Sequence, residues 1–194
     1  MRKQKPLHTH PPIHPSTHPL RDLTLVAYTT AVAAKSPTPG AGSVAALVAA
    51  LAAGLNEKVA RKAKDPAARR LAATMAKTRE RLLKLVDEDA NSFAAVMAVW
   101  KGQPAARQRA LKAATRIPLT VCEDGAMIGD VSARLMQLAR GAIRSDAAAA
   151  QRLACAALDA ARLMVEANLT LIDDAAFMRT TREALQRWQA TDES

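Results

Sequence analysis

The chain has little with which to build a sheet and almost nothing with which to run histidine chemistry. Aromatic residues make up 3% of its 194 residues, and alanine dominates the 49% that are hydrophobic. Strands draw on aromatic and β-branched side chains, so this composition points to closely approaching helices instead. All four histidines (His8, His10, His14 and His18) fall in the first twenty residues, among Pro6, Pro11, Pro12, Pro15 and Pro19. The prolines break the helix on which His10, His14 and His18 would align. The rest of the chain has no imidazole for acid–base work. Cys122 and Cys155 are distant and unaccompanied, which argues against a disulfide framework or a cysteine-type zinc site, so no metal is expected. The longest apolar run, Val44 to Leu55, is shorter than a bilayer-spanning helix requires. No apolar stretch follows Arg2 and Lys3 in the manner of a signal peptide. A cytoplasmic setting without membrane contact is expected.

Positive charge is plentiful. Residues 1–20 hold Arg2, Lys3 and Lys5 and no acid, three charges of a net +10, so the remainder carries +7. A basic body invites polyanions: nucleic acid, acidic lipid or a small polyanionic ligand. No recognised nucleic-acid module is present, and the aromatics that stack on bases are scarce, which counts against nucleic acid.

Residues 1–19 read as a disordered Pro/His-rich tail. Residues 20–190 read as a single-domain, all-α antiparallel bundle. A first helix is predicted over Leu20–Lys35 and a second over Ser43–Lys64. Asp65-Pro66 caps a long third helix that runs to about Lys101. A shorter helix covers Ala105–Arg116, and Pro118 starts or kinks the next, which reaches Ala139. Ser145-Asp146 reads as the cap of a helix over Ala147–Ile172, and Asp173-Asp174 opens a last one ending near Trp188.

Between the first two helices lies Ser36-Pro-Thr-Pro-Gly-Ala-Gly-Ser43, a turn rich in special backbone angles that leads into a helix. Ser43 supplies a hydroxyl where that helix begins. A glycine turn opening a helix leaves N–H groups and a positive dipole end facing outward, which suits an anionic ligand. The turn lacks the Gly-Lys-Ser/Thr of a Walker A loop and the spacing of GxGxxG. A plain capped turn before a core helix explains the same residues.

Acid–base work in such a chain falls to carboxylates. On the third helix Leu82, Leu85, Val86, Phe93, Val96 and Trp100 form an apolar stripe at three- and four-residue steps. Asp89 falls in its gap, seven residues from both Leu82 and Val96. Asp87 lies with Lys84 and Asn91 on a polar side, and Glu88 lies near Arg81 and Ser92. A half-buried carboxylate has a perturbed proton affinity and marks a functional candidate, although a structural aspartate paired with an arginine fits the same pattern. Asn168 interrupts the side formed by Leu153, Ala157, Ala161, Met164 and Leu171, either as a buried structural amide or as a ligand contact.

These residues also carry a resemblance. Pro37-Thr-Pro-Gly-Ala-Gly-Ser-Val-Ala-Ala46 resembles the Pro-x-Pro-Gly-Gly-Gly-Ser/Gly-x-Ala-Ala opening of the cyclodeaminase/cyclohydrolase family. Val86-Asp-Glu-Asp-Ala-Asn-Ser-Phe-Ala-Ala-Val-Met97 resembles its Asp-x-x-Ala-Phe-x-x-Val-Met segment, and Ala110-Leu-Lys-Ala-Ala-Thr-Arg-Ile-Pro-Leu-Thr120 its Ala-x-x-Val-Pro-Leu segment. Ser145-Asp146 and Asn168-Leu169 fall where the family has Ser-Asp and Asn-x/Leu. The resemblance spans about Leu20 to Asp174.

It implies an all-α homodimer acting on a tetrahydrofolate that carries a one-carbon unit, as a cyclodeaminase or a cyclohydrolase. The folate enters as substrate, with no permanently bound cofactor. Asp89 matches the family's catalytic carboxylate. Gly40, Gly42 and Ser43 match its glycine turn, and Ser145, Asp146 and Asn168 match polar positions that become substrate-binding candidates. The chain departs from the pattern at Ala41, at Asn91 and at Ala139-Arg140, which replaces a Gly-Asn pair. Two other readings follow from the residues: a catalytically lapsed folate-binding or assembly protein, and a basic helical nucleic-acid-binding protein.

Overall fold

Short polar caps set where the helices begin. In a computed structural model, residues 19–189 form a 3-10 turn (Leu20–Asp22) and six α-helices: α1 (Leu25–Ala33), α2 (Ala41–Lys62), α3 (Pro66–Val99), α4 (Pro104–Leu138), α5 (Ile143–Leu169) and α6 (Ala175–Gln189). The expected tail therefore lies, Pro19 apart, outside the described residues. Among the described residues there is no strand, in keeping with the all-α bundle expected from composition.

Asp65 caps α3 by accepting the Ala67 N–H at 2.7 Å, and Pro66 occupies the first helical position, where a missing N–H costs nothing. The helix predicted over Leu20–Lys35 is broken instead. Thr24 turns extended and accepts the Ala27 N–H at 3.2 Å, so α1 starts only at Leu25. The two helices expected over Ala105–Arg116 and from Pro118 to Ala139 are one: α4 runs through that proline, which is buried inside it. The fifth helix starts at Ile143, four residues before the predicted Ala147. Ser145 is therefore not a cap but sits in the first turn, its hydroxyl donating to the Ala142 carbonyl at 2.7 Å.

The core is built on alanine. Ala45, Ala46, Ala49, Ala50, Ala52 and Ala53 of α2 are at most 2% exposed, and Ala147, Ala150, Ala154, Ala157 and Ala161 repeat the pattern along α5. Such small side chains let backbones approach closely, and the spacing of helix pairs follows the residues at the contact. Buried polar groups tie the layers: the Asn56 amide of α2 donates to the Ile128 carbonyl at 3.1 Å and to the Ser132 hydroxyl at 2.8 Å on α4. By length and composition, helix α2 could cross a membrane, which the apolar run alone does not reveal. In the fold, however, 61% of that stretch is buried among the other helices, as befits a core helix.

Candidate active site

Helices α2 and α3 pack side by side, and this contact brings the glycine turn onto Asp89. The helix begins at Ala41 with Gly40 as its N-cap, so Ser43 is its third residue rather than its cap. The N-terminal N–H groups do not all face outward as expected. The Ser43 N–H donates to Asp89 Oδ2 at 2.9 Å, so a carboxylate from α3 satisfies one orphan donor of α2. The Ser43 hydroxyl lies 3.1 Å from the same Oδ2 and 2.8 Å from the Val86 carbonyl. Asp89 thus takes neutral donors from Ser43, and the alternative of an arginine partner is not what the structure shows.

Gly42 explains how the helices come so close. A Cβ there would fall 2.6 Å from Asp89 Cγ and 2.9 Å from its Oδ2, inside any tolerable contact. The requirement is one of space: with Asp89 in this position only glycine fits, and any side chain here would displace the carboxylate. Burial pushes the Asp89 carboxyl above the usual carboxylate range, while the hydroxyl and N–H of Ser43 pull it back down. The net direction is upward, which is the direction a carboxyl that donates and accepts a proton near neutral pH needs.

Asp89 opens onto a cavity of about 400 Å³. The turn residues Pro37, Thr38, Gly40, Ala41 and Gly42 form one wall. Phe93, Val96, Met97 and Trp100 of α3 form another, and α4 and α5 close it with Pro118, Met164 and Asn168. Phe93 and Trp100, read from the stripe as core, are each 37% exposed and face this cavity. The Arg107 guanidinium lies 5.7 Å from the ring centroid of Trp100, one of the lining residues. Pro118 has no N–H to give the Ala114 carbonyl one turn back, and both residues line the wall.

The candidates divide. Gly40, Gly42, Asp89 and Asn168 line one cavity, and Ser43 sits fully buried behind Asp89. Ser145 and Asp146 are not brought there. At about 1.5 Å per residue, they lie roughly 35 Å along α5 from Asn168. Asp146 instead pairs with Lys58 of α2 at 2.7 Å. Asp87, expected on a solvated side, is also elsewhere: its side chain is only 12% exposed and binds the Arg21 guanidinium of the 3-10 turn at 2.6 Å. The backbone turn that brings Arg21 to it is invisible in the α3 sequence pattern.

Sequence reading missed Tyr28 of α1 as part of this neighbourhood. Its hydroxyl is buried without a hydrogen-bond partner, and its phenol is pushed up to about 12, first by burial and then by the charges of Asp89 and Asp87. It also missed the cavity walls at Met97 and Pro118. A stripe interrupted by a carboxylate cannot be wholly core, and this was the available signal for Phe93 and Trp100.

The chain is similar to known proteins in sequence and in fold. Residues 24–187 match the formiminotransferase-cyclodeaminase family. The chain is 30% identical over 184 residues to formimidoyltransferase-cyclodeaminase of Rattus norvegicus, covering 86% of this chain and 34% of the relative, so it spans about a third of that longer protein. It is 29% identical over 181 residues to methenyltetrahydrofolate cyclohydrolase of Methylorubrum extorquens, covering 84% of this chain and 87% of the relative. The crystal structure of formiminotetrahydrofolate cyclodeaminase from Thermotoga maritima superposes with a TM-score of 0.84 at 30% identity, covering 88% of this chain and 90% of that one.

Proposed function

The chain belongs to the formiminotransferase-cyclodeaminase family, and from that membership we propose that it acts on a tetrahydrofolate derivative carrying a one-carbon unit. The reaction is that of a cyclodeaminase or a cyclohydrolase, with the folate as substrate and no resident cofactor. The observation that carries this reading is the state of Asp89: one carboxylate oxygen is bound by Ser43, and the carboxyl opens onto a largely apolar cavity.

In a cyclodeaminase, N10 of 5-formimino-tetrahydrofolate attacks the amidine carbon and ammonia leaves. In a cyclohydrolase, water opens the 5,10-methenyl ring. Both routes pass through a tetrahedral carbon and need a proton taken from the attacking N–H or O–H and returned to a departing nitrogen. Asp89, poised by burial against the Ser43 donors, accepts that proton and gives it back. Phe93 and Trp100 offer flat faces to a fused ring. The Asn168 amide supplies a polar contact on the opposite wall, and Arg107, stacked on Trp100, receives the carboxylates of the glutamate tail.

The working unit in this proposal is a homodimer. Leu25 and Val26 of α1 are 78% and 76% exposed, and of that helix only Tyr28 is buried. An apolar helix so poorly covered is stabilised by a second copy.

An absorbance assay tests the chemistry by following formation of methenyl-tetrahydrofolate from the formimino substrate and its loss by hydrolysis. Turnover in either direction supports the reading. Folate binding without turnover would favour the lapsed enzyme, and a salt-dependent DNA gel shift without folate binding would favour the nucleic-acid reading.

A further inference from the structure

Ser43 offers one hydroxyl proton to two acceptors. Its Oγ is 2.8 Å from the Val86 carbonyl and 3.1 Å from Asp89 Oδ2, and the side chain is fully buried, so no solvent completes the set. A hydroxyl has one proton to donate and lone pairs to accept with. With Asp89 ionised, the hydroxyl donates to Oδ2 beside the Ser43 N–H. With Asp89 protonated, the carboxyl no longer needs that donor, and the hydroxyl turns to the Val86 carbonyl. In either arrangement the Ser43 hydroxyl proton keeps an acceptor.

We propose that Ser43 is a positioning residue whose hydroxyl alternates between Asp89 and the Val86 carbonyl, so that it supports the ionised carboxylate and still keeps an acceptor when Asp89 carries its proton. The turn would thus serve Asp89 rather than hold substrate through Ser43, whose hydroxyl and N–H are both engaged within the fold. Other groups near Asp89 do not substitute for it. Tyr28 of α1 is a neutral phenol, Asp87 is taken by Arg21, and α4 and α5 present uncharged side chains such as Pro118, Met164 and Asn168 to the cavity.

This inference deepens the assignment of Asp89 as the proton-transfer group, and its test reads Asp89 without any turnover. Carbon-detected NMR of aspartate-labelled protein follows the Asp89 carboxyl through a pH titration in wild type, Ser43→Ala and Ser43→Thr. Ser43→Ala removes a donor to the ionised form, so the proton affinity of Asp89 should rise about tenfold, as expected for one lost hydrogen bond to a charged group. Ser43→Thr keeps the hydroxyl and should hold that affinity within about twofold of wild type. The inference is overturned if Ser43→Ala leaves the titration unchanged, or if Ser43→Thr shifts it as far as Ser43→Ala. If the variants show these shifts while the wild-type protein turns over no folate, the functional assignment falls and the role of Ser43 stands.

Discussion

Two aspartates enter the interior of this bundle and meet opposite fates. Asp124 of α4 is 2% exposed and is gripped by both arms of the Arg81 guanidinium from α3. Asp89 of α3 receives only the hydroxyl and N–H of Ser43 and borders a cavity. Burial raises the proton affinity of both. The difference lies in the partner. A guanidinium fork ties a carboxylate to a fixed cation on both oxygens, whereas Asp89 has only neutral donors at a helix N-terminus and a face open to the cavity. Desolvation alone does not make a chemical group; an open face and a non-cationic partner do.

The largest expected effect comes from exchanging each carboxylate for its amide. Asp89→Asn should lower turnover by roughly a hundredfold or more, while the fold persists because the amide oxygen still accepts from Ser43. Asp124→Asn should do the reverse. It loses a charged hydrogen-bonded pair whose arginine is half in solvent, which costs about 1–2 kcal/mol and lowers the melting temperature by roughly 2–8 °C. Turnover per folded molecule should stay near normal. The exposed Glu88→Gln serves as the control on α3. Equal losses of activity from the two aspartate variants would break the comparison.

The comparison also has a pH signature. Because Asp89 binds its proton more tightly in the folded state, stability falls as pH rises from the ordinary carboxylate range through the raised value, and then levels off. Asp89→Asn has no such titration. Its melting temperature relative to wild type should therefore climb across that window, and a flat difference would contradict the raised affinity.

The helix partners of the two aspartates allow a second contrast, of intermediate size. Gly42 gives way to Asp89, and Gly125, next to Asp124, gives way to α5, where a Cβ would lie 3.1 Å from Leu158 Cβ and 3.2 Å from the Ala154 carbonyl. Gly42→Ala should displace the carboxylate and lower turnover at least tenfold, by the cost of misplacing a reacting group. Gly125→Ala should strain the α4–α5 contact, costing about 1–3 kcal/mol as overpacking does, with turnover per folded molecule retained. Activity losses of similar size from both would mean that the α4–α5 contact shapes the site as well.

Much of this was legible in the sequence because helices write their own periodicity. The inward aim of Asp89 follows from its place seven residues from Leu82 and Val96, and Asp65-Pro66 announces the start of α3. What the pattern could not supply was partnership. Nothing in the α4 sequence says that Asp124 meets Arg81, just as nothing around Asp87 predicts Arg21. Ser145-Asp146 read as a cap because capping residues are recognised one turn at a time. The actual start at Ile143 follows Gly141, the one described glycine in a left-handed conformation, at φ 69°. Phe93 and Trp100 are apolar and in register, so periodicity alone could not tell a cavity wall from a packed core.

The smallest effect is expected at Tyr28, and it sharpens the contrast by asking whether Asp89 works alone. The phenol is 6% exposed, its oxygen has no hydrogen-bond partner, and burial with the nearby charges of Asp89 and Asp87 pushes it up to about 12. It is neutral throughout the pH range of folate chemistry. A buried hydroxyl without a partner loses its water bonds and regains nothing, so removing it should be harmless or favourable. Tyr28→Phe should leave the melting temperature unchanged or raise it slightly, with a gain of about 0–1 kcal/mol, and turnover should stay within about threefold of wild type. If instead turnover falls by a hundredfold while the melting temperature holds, the unpaired hydroxyl finds its partner in bound substrate. The acid–base work would then be shared between a carboxylate and a phenol, and the single carboxylate of the present mechanism would be wrong.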